Sequence, residues 1–274
     1  MNIYIWHLVQ AGILGLVQGL TEFIPVSSSG HLVVARELMR IEDPGNFFDA
    51  VLHLATLFAI LIYFRREWWQ MLVTAKDKIA PKTHLAIDRR LLWLIIVATI
   101  PALAVGYFMQ GWIENNFRSL VTVAILLIIM GAGFILSETW LRVPKQNRNL
   151  SFWDALSVGL AQTIALLPGI SRSGSTMLAG MYVGLTRASA VRFSFLMAAP
   201  AIAVAGGYGV YQSIRDQAIV QDYLYLIIAF VVSFLSGWLA IRWLLQFFQK
   251  HSLHVFGIYS IIAGVVALVY HFAF

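Results

Sequence analysis

The distribution of apolar residues along the chain predicts six helices that cross a membrane. A helix needs about 20 mainly apolar residues to span the hydrocarbon core of a bilayer. Six runs approach or exceed this length, at about 47–65, 90–110, 119–138, 190–212, 222–245 and 255–273. Two further apolar stretches, 8–24 and the shorter 30–40, are separated by Pro25. We interpret these two as the arms of a re-entrant helical hairpin, because Pro ends a regular helix.

The composition agrees with a membrane protein. Hydrophobic residues make up 60% of the 274 residues and charged residues 12%, whereas a soluble domain carries about 25% charged residues. No long polar stretch interrupts the chain, so residues 1–274 are expected to form one membrane domain. The chain has no cysteine, which excludes disulfides, thiolate catalysis and cysteine-ligated zinc.

Lysine and arginine are concentrated in alternate connections between the apolar runs. The first rich connection holds Arg65, Arg66, Lys76, Lys78, Lys82, Arg89 and Arg90, and the second holds Arg142, Lys145 and Arg148. The connections 111–118 and 213–222 hold one each. Basic connections stay in the cytoplasm, so 111–118 and 213–222 are predicted to lie outside. This distribution sets the orientation of the spans and gives no support for nucleic-acid binding.

One motif occurs twice, 144 residues apart. The first copy contains Gly15, Leu16, Gln18, Ser27, Ser29 and Gly30, which match Gly159, Leu160, Gln162, Ser171, Ser173 and Gly174. In each copy an apolar segment runs into a loop of hydroxyl residues, and such a loop is tolerated at membrane depth only where it lines a cavity or is covered by protein. Each half, about 1–140 and 145–274, would then comprise one re-entrant hairpin and three spans. Because an odd number of spans reverses the direction in which the chain crosses the membrane, the two halves would have opposite orientations, and the sequence predicts an inverted repeat. The alternative is eight ordinary spans without a re-entrant hairpin.

The two loops carry the chemistry. Gln18 and Glu22 are four residues apart and share a helix face, within an otherwise apolar segment. Arg172 lies among hydroxyl residues at a predicted helix start, an arrangement typical of phosphate binding. An ion pair between Glu22 and Arg172 is a structural alternative, and both can hold if substrate replaces the pair. His31 follows the first loop and is a candidate for proton transfer, while His53 either faces the same cavity or only packs.

These motifs resemble those of a known family. Gln18 with Glu22, the run from Pro25 to His31 and the run from Pro168 to Gly174 resemble the signatures of the bacterial undecaprenyl-diphosphate phosphatases, a family linked to bacitracin resistance. The resemblance covers essentially the whole chain and implies an enzyme of the bacterial inner membrane. It implies that a C55 polyprenyl diphosphate loses one phosphate, which recycles the carrier lipid of peptidoglycan synthesis.

Chemistry and resemblance together predict the site. Catalytic roles are expected for Glu22, Ser27, His31 and Arg172, and phosphate contacts for Gln18, Ser28, Ser29, Gly30, Ser171, Ser173, Gly174 and Thr176. Glu22 is expected to hold a divalent cation, Mg²⁺ or Ca²⁺. Ser27 is the first candidate for the nucleophile, followed by a metal-bound water and then His31. The site is expected to open to the outside. A flippase for the lipid monophosphate is the competing function, and the oligomeric state is open, with a homodimer as one alternative.

Overall fold

The computed structural model describes residues 3–73, 87–140, 150–218 and 222–273, and all regular secondary structure within them is helical. The helices in these ranges are α1 (Ile3–Phe23), α2 (Ser28–Met39), α3 (Asn46–Tyr63), α4 (Arg65–Val73), α5 (Arg89–Phe117), α6 (Leu120–Trp140), α7 (Phe152–Ile164), α8 (Arg172–Tyr182), α9 (Arg187–Arg215), α10 (Tyr223–Phe247) and α11 (His254–Ala273). The predicted all-α fold is confirmed.

Six of the described helices are long and apolar enough to cross a membrane. They are α3, α5, α6, α9, α10 and α11, and each coincides with one of the six predicted apolar runs to within two residues at the ends of that run or extends beyond it, which confirms that prediction. The helices α1, α2, α7 and α8 come from the two copies of the repeated motif.

Glycine allows α1 and α7 to pack closely against helices of the opposite half. A Cβ atom on Gly15 of α1 would lie 2.5 Å from the carbonyl oxygen of Ala229 on α10. A Cβ atom on Gly159 of α7 would lie 2.4 Å from the carbonyl oxygen of Ala98 on α5. Both distances are shorter than real Cβ contacts, so these backbones approach each other only because the residue is glycine. The two matched glycines thus fix the helices that lead into the two loops.

The two loops meet inside the protein. Ser27 caps α2, and its Oγ accepts a hydrogen bond from the backbone N–H of Gly30 at 3.3 Å. The same oxygen accepts a second bond, at 3.2 Å, from the backbone N–H of Gly169 in the other loop. Gly169 has a φ of +104°, a conformation that favours glycine. Ser171 caps α8 in the same way as Ser27 caps α2, by accepting a bond from the Gly174 N–H at 3.1 Å.

The inverted repeat and the two re-entrant hairpins remain predictions. The inverted orientation of the halves and the re-entrant path of α1–α2 and α7–α8 depend on where a membrane lies. Part of the basic pattern that sets the orientation lies outside the described residues, namely Lys76, Lys78, Lys82, Arg142, Lys145 and Arg148. The boundary between the halves, near residues 140–145, is also largely outside them.

Candidate functional site

Glu22 lies at the centre of the site, at the end of α1, with 5% of its surface exposed. Its Oε1 accepts a hydrogen bond from Nη2 of Arg172 at 2.7 Å, so the two copies of the motif are joined by an ion pair. Its Oε2 accepts bonds from Nε2 of Gln18 at 3.0 Å and from Oγ of Ser28 at 2.6 Å. The carboxylate therefore has one cationic partner and one hydroxyl partner within direct reach.

The serines at the start of α2 have different surroundings. Ser27 has a φ of +71°, unusual for a residue with a side chain, and its Oγ accepts the two backbone N–H groups described above. Ser28 is the serine whose hydroxyl donates to Glu22. Ser29 is exposed, and its Oγ lies 3.4 Å from Oγ of Ser27. The sequence favoured Ser27 as the nucleophile, whereas the serine hydroxyl that contacts Glu22 is that of Ser28.

A cavity of about 460 Å³ adjoins these groups. The predicted site residues that line it are Glu22, Ser27, Ser28, Ser29, Ser171 and Arg172. From there the cavity extends between α5 and α9, past Tyr107 and Tyr208, to Ile113 and Arg118 near the end of α5. This volume and its mainly apolar wall with a few convergent polar groups are typical of small-molecule sites.

The other predicted site residues do not line this cavity. They are Gln18, Gly30, His31, Ser173, Gly174 and Thr176. Gln18 donates a hydrogen bond from Nε2 to Oε2 of Glu22 without lining the cavity itself. Gly174 makes room for an aromatic ring, because a Cβ atom there would lie 2.3 Å from Phe134 of α6. Thr176 is buried and its Oγ1 lies 2.7 Å from Oγ of Ser194 on α9. The structure thus gives Gly174 and Thr176 packing contacts where the sequence predicted phosphate contacts.

His31 has both ring nitrogens engaged away from Glu22. Its Nδ1 lies 2.8 Å from the backbone carbonyl oxygen of Ser27, and its Nε2 lies 2.9 Å from the hydroxyl of Tyr259 on α11. A carbonyl oxygen only accepts, so Nδ1 carries a proton and Nε2 of the neutral ring accepts from Tyr259. His31 therefore links the loop at Ser27 to Tyr259 of α11. Its role in proton transfer stays a prediction.

His53 lies on the cavity wall, where the sequence left its direction open. Its Nε2 lies 3.9 Å from Oε2 of Glu22, and its Nδ1 lies 2.7 Å from the backbone carbonyl oxygen of Asp49, one turn earlier on α3. This bond directs Nε2 toward Glu22. The apolar run 47–65 predicted a membrane span, and His53 is the single histidine within it. A histidine in an apolar span was the sequence feature that indicated a possible place on the cavity wall.

A cluster of charged side chains lies at the far end of the cavity, and sequence reasoning missed it. Arg36 on α2 is buried and pairs with Asp49 and, at 3.2 Å, with Asp43. Arg118, at the end of α5, lies 3.1 Å from Asp49 and 3.2 Å from Asp43. These pairs compensate the burial of the Arg36 charge.

Comparison with known proteins identifies the family. The model of the family described as "Bacitracin resistance protein BacA" matches residues 11–266. The chain belongs to the BacA family. Among its relatives, a Corynebacterium efficiens protein is 40% identical over 94% of this chain and 89% of its own length. Proteins of Desulforudis audaxviator and Mycobacterium ulcerans are each 38% identical, over 94% and 96% of this chain and 95% of their own lengths. All three are named undecaprenyl-diphosphatase.

The BacA family match covers both loops and all six spans except the last few residues of α11. Together with the six apolar helices, it identifies a multi-pass membrane protein. The site residues Glu22, Ser28 and Arg172 come from both copies of the motif, so the site depends on the whole length of the matched region.

Few of the described side chains near the cavity could hold the predicted divalent cation. Within the described residues, no three acidic, histidine or cysteine side chains lie together as a metal cluster. Glu22 lines the cavity, whereas Gln18, whose Nε2 donates to Glu22, does not. Mg²⁺ is commonly held by one or two carboxylates together with substrate phosphates and water. The carboxylate of Glu22 on the cavity wall therefore fits a cation that binds together with a phosphate substrate.

Proposed function

We propose that this protein removes the terminal phosphate of undecaprenyl diphosphate, giving undecaprenyl phosphate and inorganic phosphate. The observation that carries the proposal is the meeting of Glu22, Ser28 and Arg172 at one end of the cavity. A guanidinium binds phosphate, a hydroxyl attacks phosphorus and a carboxylate takes the proton of that hydroxyl. The names of the relatives, which the chain matches over nearly its whole length, support the same reaction.

Binding of the diphosphate would rearrange the ion pair. In the absence of substrate, Arg172 is neutralised by Glu22 at 2.7 Å. The terminal phosphate would compete for the guanidinium, which presents several donors in a fork that matches phosphate oxygens. Glu22 would then keep its bonds from Gln18 and Ser28, and its charge would be available to accept a proton.

Ser28 is the nucleophile that the geometry favours. Its Oγ would attack the terminal phosphorus while its proton passes to Glu22, 2.6 Å away. The bond from that phosphorus to the bridging oxygen breaks, and undecaprenyl phosphate leaves with the electron pair. Water would then attack the phosphoserine, release inorganic phosphate and restore the Ser28 hydroxyl. Arg172 stabilises the charge on the transferring group in both steps. Ser27, the first candidate from the sequence, would instead hold the two loops together.

A divalent cation would be held by Glu22, which lines the cavity, together with phosphate oxygens of the substrate and water. When bound, it would supply positive charge that polarises the phosphoryl group. Either Mg²⁺ or Ca²⁺ suits this set of oxygen atoms.

The cavity would open on the outer face of the bacterial inner membrane. It is lined by Arg118, at the end of the connection 111–118 that the charge pattern predicts to lie outside. The basic side chains of the predicted cytoplasmic connections that the structure describes, such as Arg65 and Arg89, are absent from its wall. The inverted repeat is supported by reciprocal packing, since α1 contacts α10 and α7 contacts α5. A homodimer stays a prediction.

The test is phosphate release from undecaprenyl diphosphate by the purified protein in detergent, with and without Mg²⁺ or Ca²⁺. Glu22→Gln is the test variant, and Glu37→Gln, on the exposed side of α2, is its matched control. We expect release by the wild type and the control and none by Glu22→Gln. A folded wild type that releases no phosphate under any of these conditions would contradict the proposal and favour the flippase, which liposome assays would then test.

A further inference from the structure

Gln162 on α7 is a buried polar side chain without an internal partner. Only 2% of the residue is exposed, and neither Nε2 nor Oε1 makes a hydrogen bond to any residue that the structure describes. Buried polar atoms in folded proteins are nearly always paired, and an unpaired one destabilises the fold. Gln162 also lines the cavity that Glu22 and Arg172 line. An unsatisfied carboxamide on a cavity wall indicates a ligand contact.

The repeated motif shows why Gln162 has no partner. Its counterpart in the first copy, Gln18, donates from Nε2 to Glu22 one turn later. At the same offset of 144 residues, the position of Glu22 is occupied in the second copy by Leu166. The second copy thus has the glutamine without the carboxylate, and Leu166 also lines the cavity. A glutamine that served only packing would be better replaced by an apolar residue at this site.

We propose that the carboxamide of Gln162 binds the diphosphate group of the substrate, with Nε2 donating a hydrogen bond to a phosphate oxygen. This inference rests on the proposed function, because it takes the lipid diphosphate as the occupant of the cavity. A diphosphate has many acceptor oxygens, more than the side chain of Arg172 and the hydroxyl of Ser28 can satisfy. The free Nε2 of Gln162 offers two N–H donors on another part of the same wall.

Substitution of Gln162 by leucine is expected to weaken substrate binding without lowering the stability of the ligand-free protein. Gln162→Leu removes the polar atoms at nearly constant size, so the ligand-free protein should have an unchanged or higher unfolding midpoint. The KM for undecaprenyl diphosphate should rise about tenfold or more, because hydrogen bonds to charged groups are among the stronger ones, while kcat changes less. Gln162→Glu should raise KM further, since a carboxylate there repels the diphosphate. Gln246→Leu, on the exposed end of α10, is the matched control and should leave KM unchanged.

Binding is measured separately from hydrolysis with a methylene-bridged diphosphonate analogue of undecaprenyl diphosphate. The analogue should raise the unfolding midpoint of the wild type and of Gln246→Leu, and this shift should be lost in Gln162→Leu. An unchanged KM, or a retained shift together with a lower ligand-free midpoint, would overturn the inference and show that Gln162 has a structural role. If the wild type binds the analogue but releases no phosphate, the proposed hydrolysis fails while the shift still decides the role of Gln162. If the wild type binds no analogue, the inference is refuted as well.

Discussion

Two neighbouring serines should respond in opposite ways to the same substitution. The hydroxyl of Ser28 donates to Glu22 at 2.6 Å, and no other hydrogen bond to it is seen within the described residues. Ser28→Ala therefore removes the proposed nucleophile and leaves Glu22 with its partners Gln18 and Arg172. We expect the protein to fold normally and kcat to fall by at least about 100-fold, the lower range for loss of an assisted proton transfer.

Ser27→Ala should act mainly on stability. The Oγ of Ser27 accepts the N–H groups of Gly30 at 3.3 Å and Gly169 at 3.2 Å, and all three residues lie in the interior. A buried donor left without an acceptor costs about 1–3 kcal/mol, so losing both contacts should lower the free energy of unfolding by at least about 2 kcal/mol. The remaining activity should be higher than that of Ser28→Ala, because the Ser28–Glu22 contact is retained.

The assay combines phosphate release with unfolding in one detergent, so that kcat and the unfolding midpoint are measured on the same preparations. Ser157→Ala is the matched control, because Ser157 is exposed on α7, does not line the cavity, and its hydroxyl donates within its own helix to the backbone carbonyl of Trp153. A stable Ser27→Ala protein without turnover, together with an active Ser28→Ala protein, would refute the reasoning. That result would restore the order of candidates that the sequence alone gave.

Three further predictions concern charge, metal and packing. Arg172→Lys should lower kcat/KM for undecaprenyl diphosphate at least about tenfold, because an ammonium does not reproduce the guanidinium fork; turnover close to that of the wild type would contradict its phosphate contact. Treatment with EDTA should abolish phosphate release and Mg²⁺ or Ca²⁺ should restore it, whereas activity unaffected by chelation would exclude the proposed cation. Gly15→Ala should lower the unfolding midpoint through a cost of about 1–3 kcal/mol, since its Cβ meets the Ala229 carbonyl at 2.5 Å. Gly12→Ala, with its nearest neighbour at 3.8 Å, should not, and equal midpoints would show that α1 and α10 can separate.

The sequence predicted the spans because bilayer thickness imposes a minimum length on an apolar helix. It also singled out Glu22 and Arg172, because charges within apolar segments are rare and the repeat pairs their loops. It favoured Ser27 over Ser28 as the nucleophile, whereas the hydroxyl that reaches Glu22 is that of Ser28. Ser27 has a φ of +71°, which no local sequence pattern indicates. The direction of His53 was likewise undetermined, because it depends on how α3 is rotated against its neighbours.

Contacts between distant segments explain the remaining differences. The sequence favoured phosphate contacts for Gly174 because glycine admits a close approach, but the approaching group is the ring of Phe134. Arg36 was not part of the predicted site, and its partners Asp43 and Asp49 follow a turn of the chain that the apolar pattern does not describe. A residue type thus predicts what kind of neighbour is needed, and only the packed structure supplies which neighbour it is.

The two copies of the motif have diverged into complementary parts of one site. The first copy supplies the carboxylate of Glu22, and the matching position in the second copy is Leu166. The second copy supplies the guanidinium of Arg172, and the matching position in the first is Ser28. Identical copies would place a carboxylate and a guanidinium in each half, rather than one of each in the whole site. Because the two copies differ, the carboxylate of Glu22, the hydroxyl of Ser28 and the guanidinium of Arg172 meet at one cavity. The glutamine shared by the copies is paired with Glu22 in the first and has no partner among the described residues in the second.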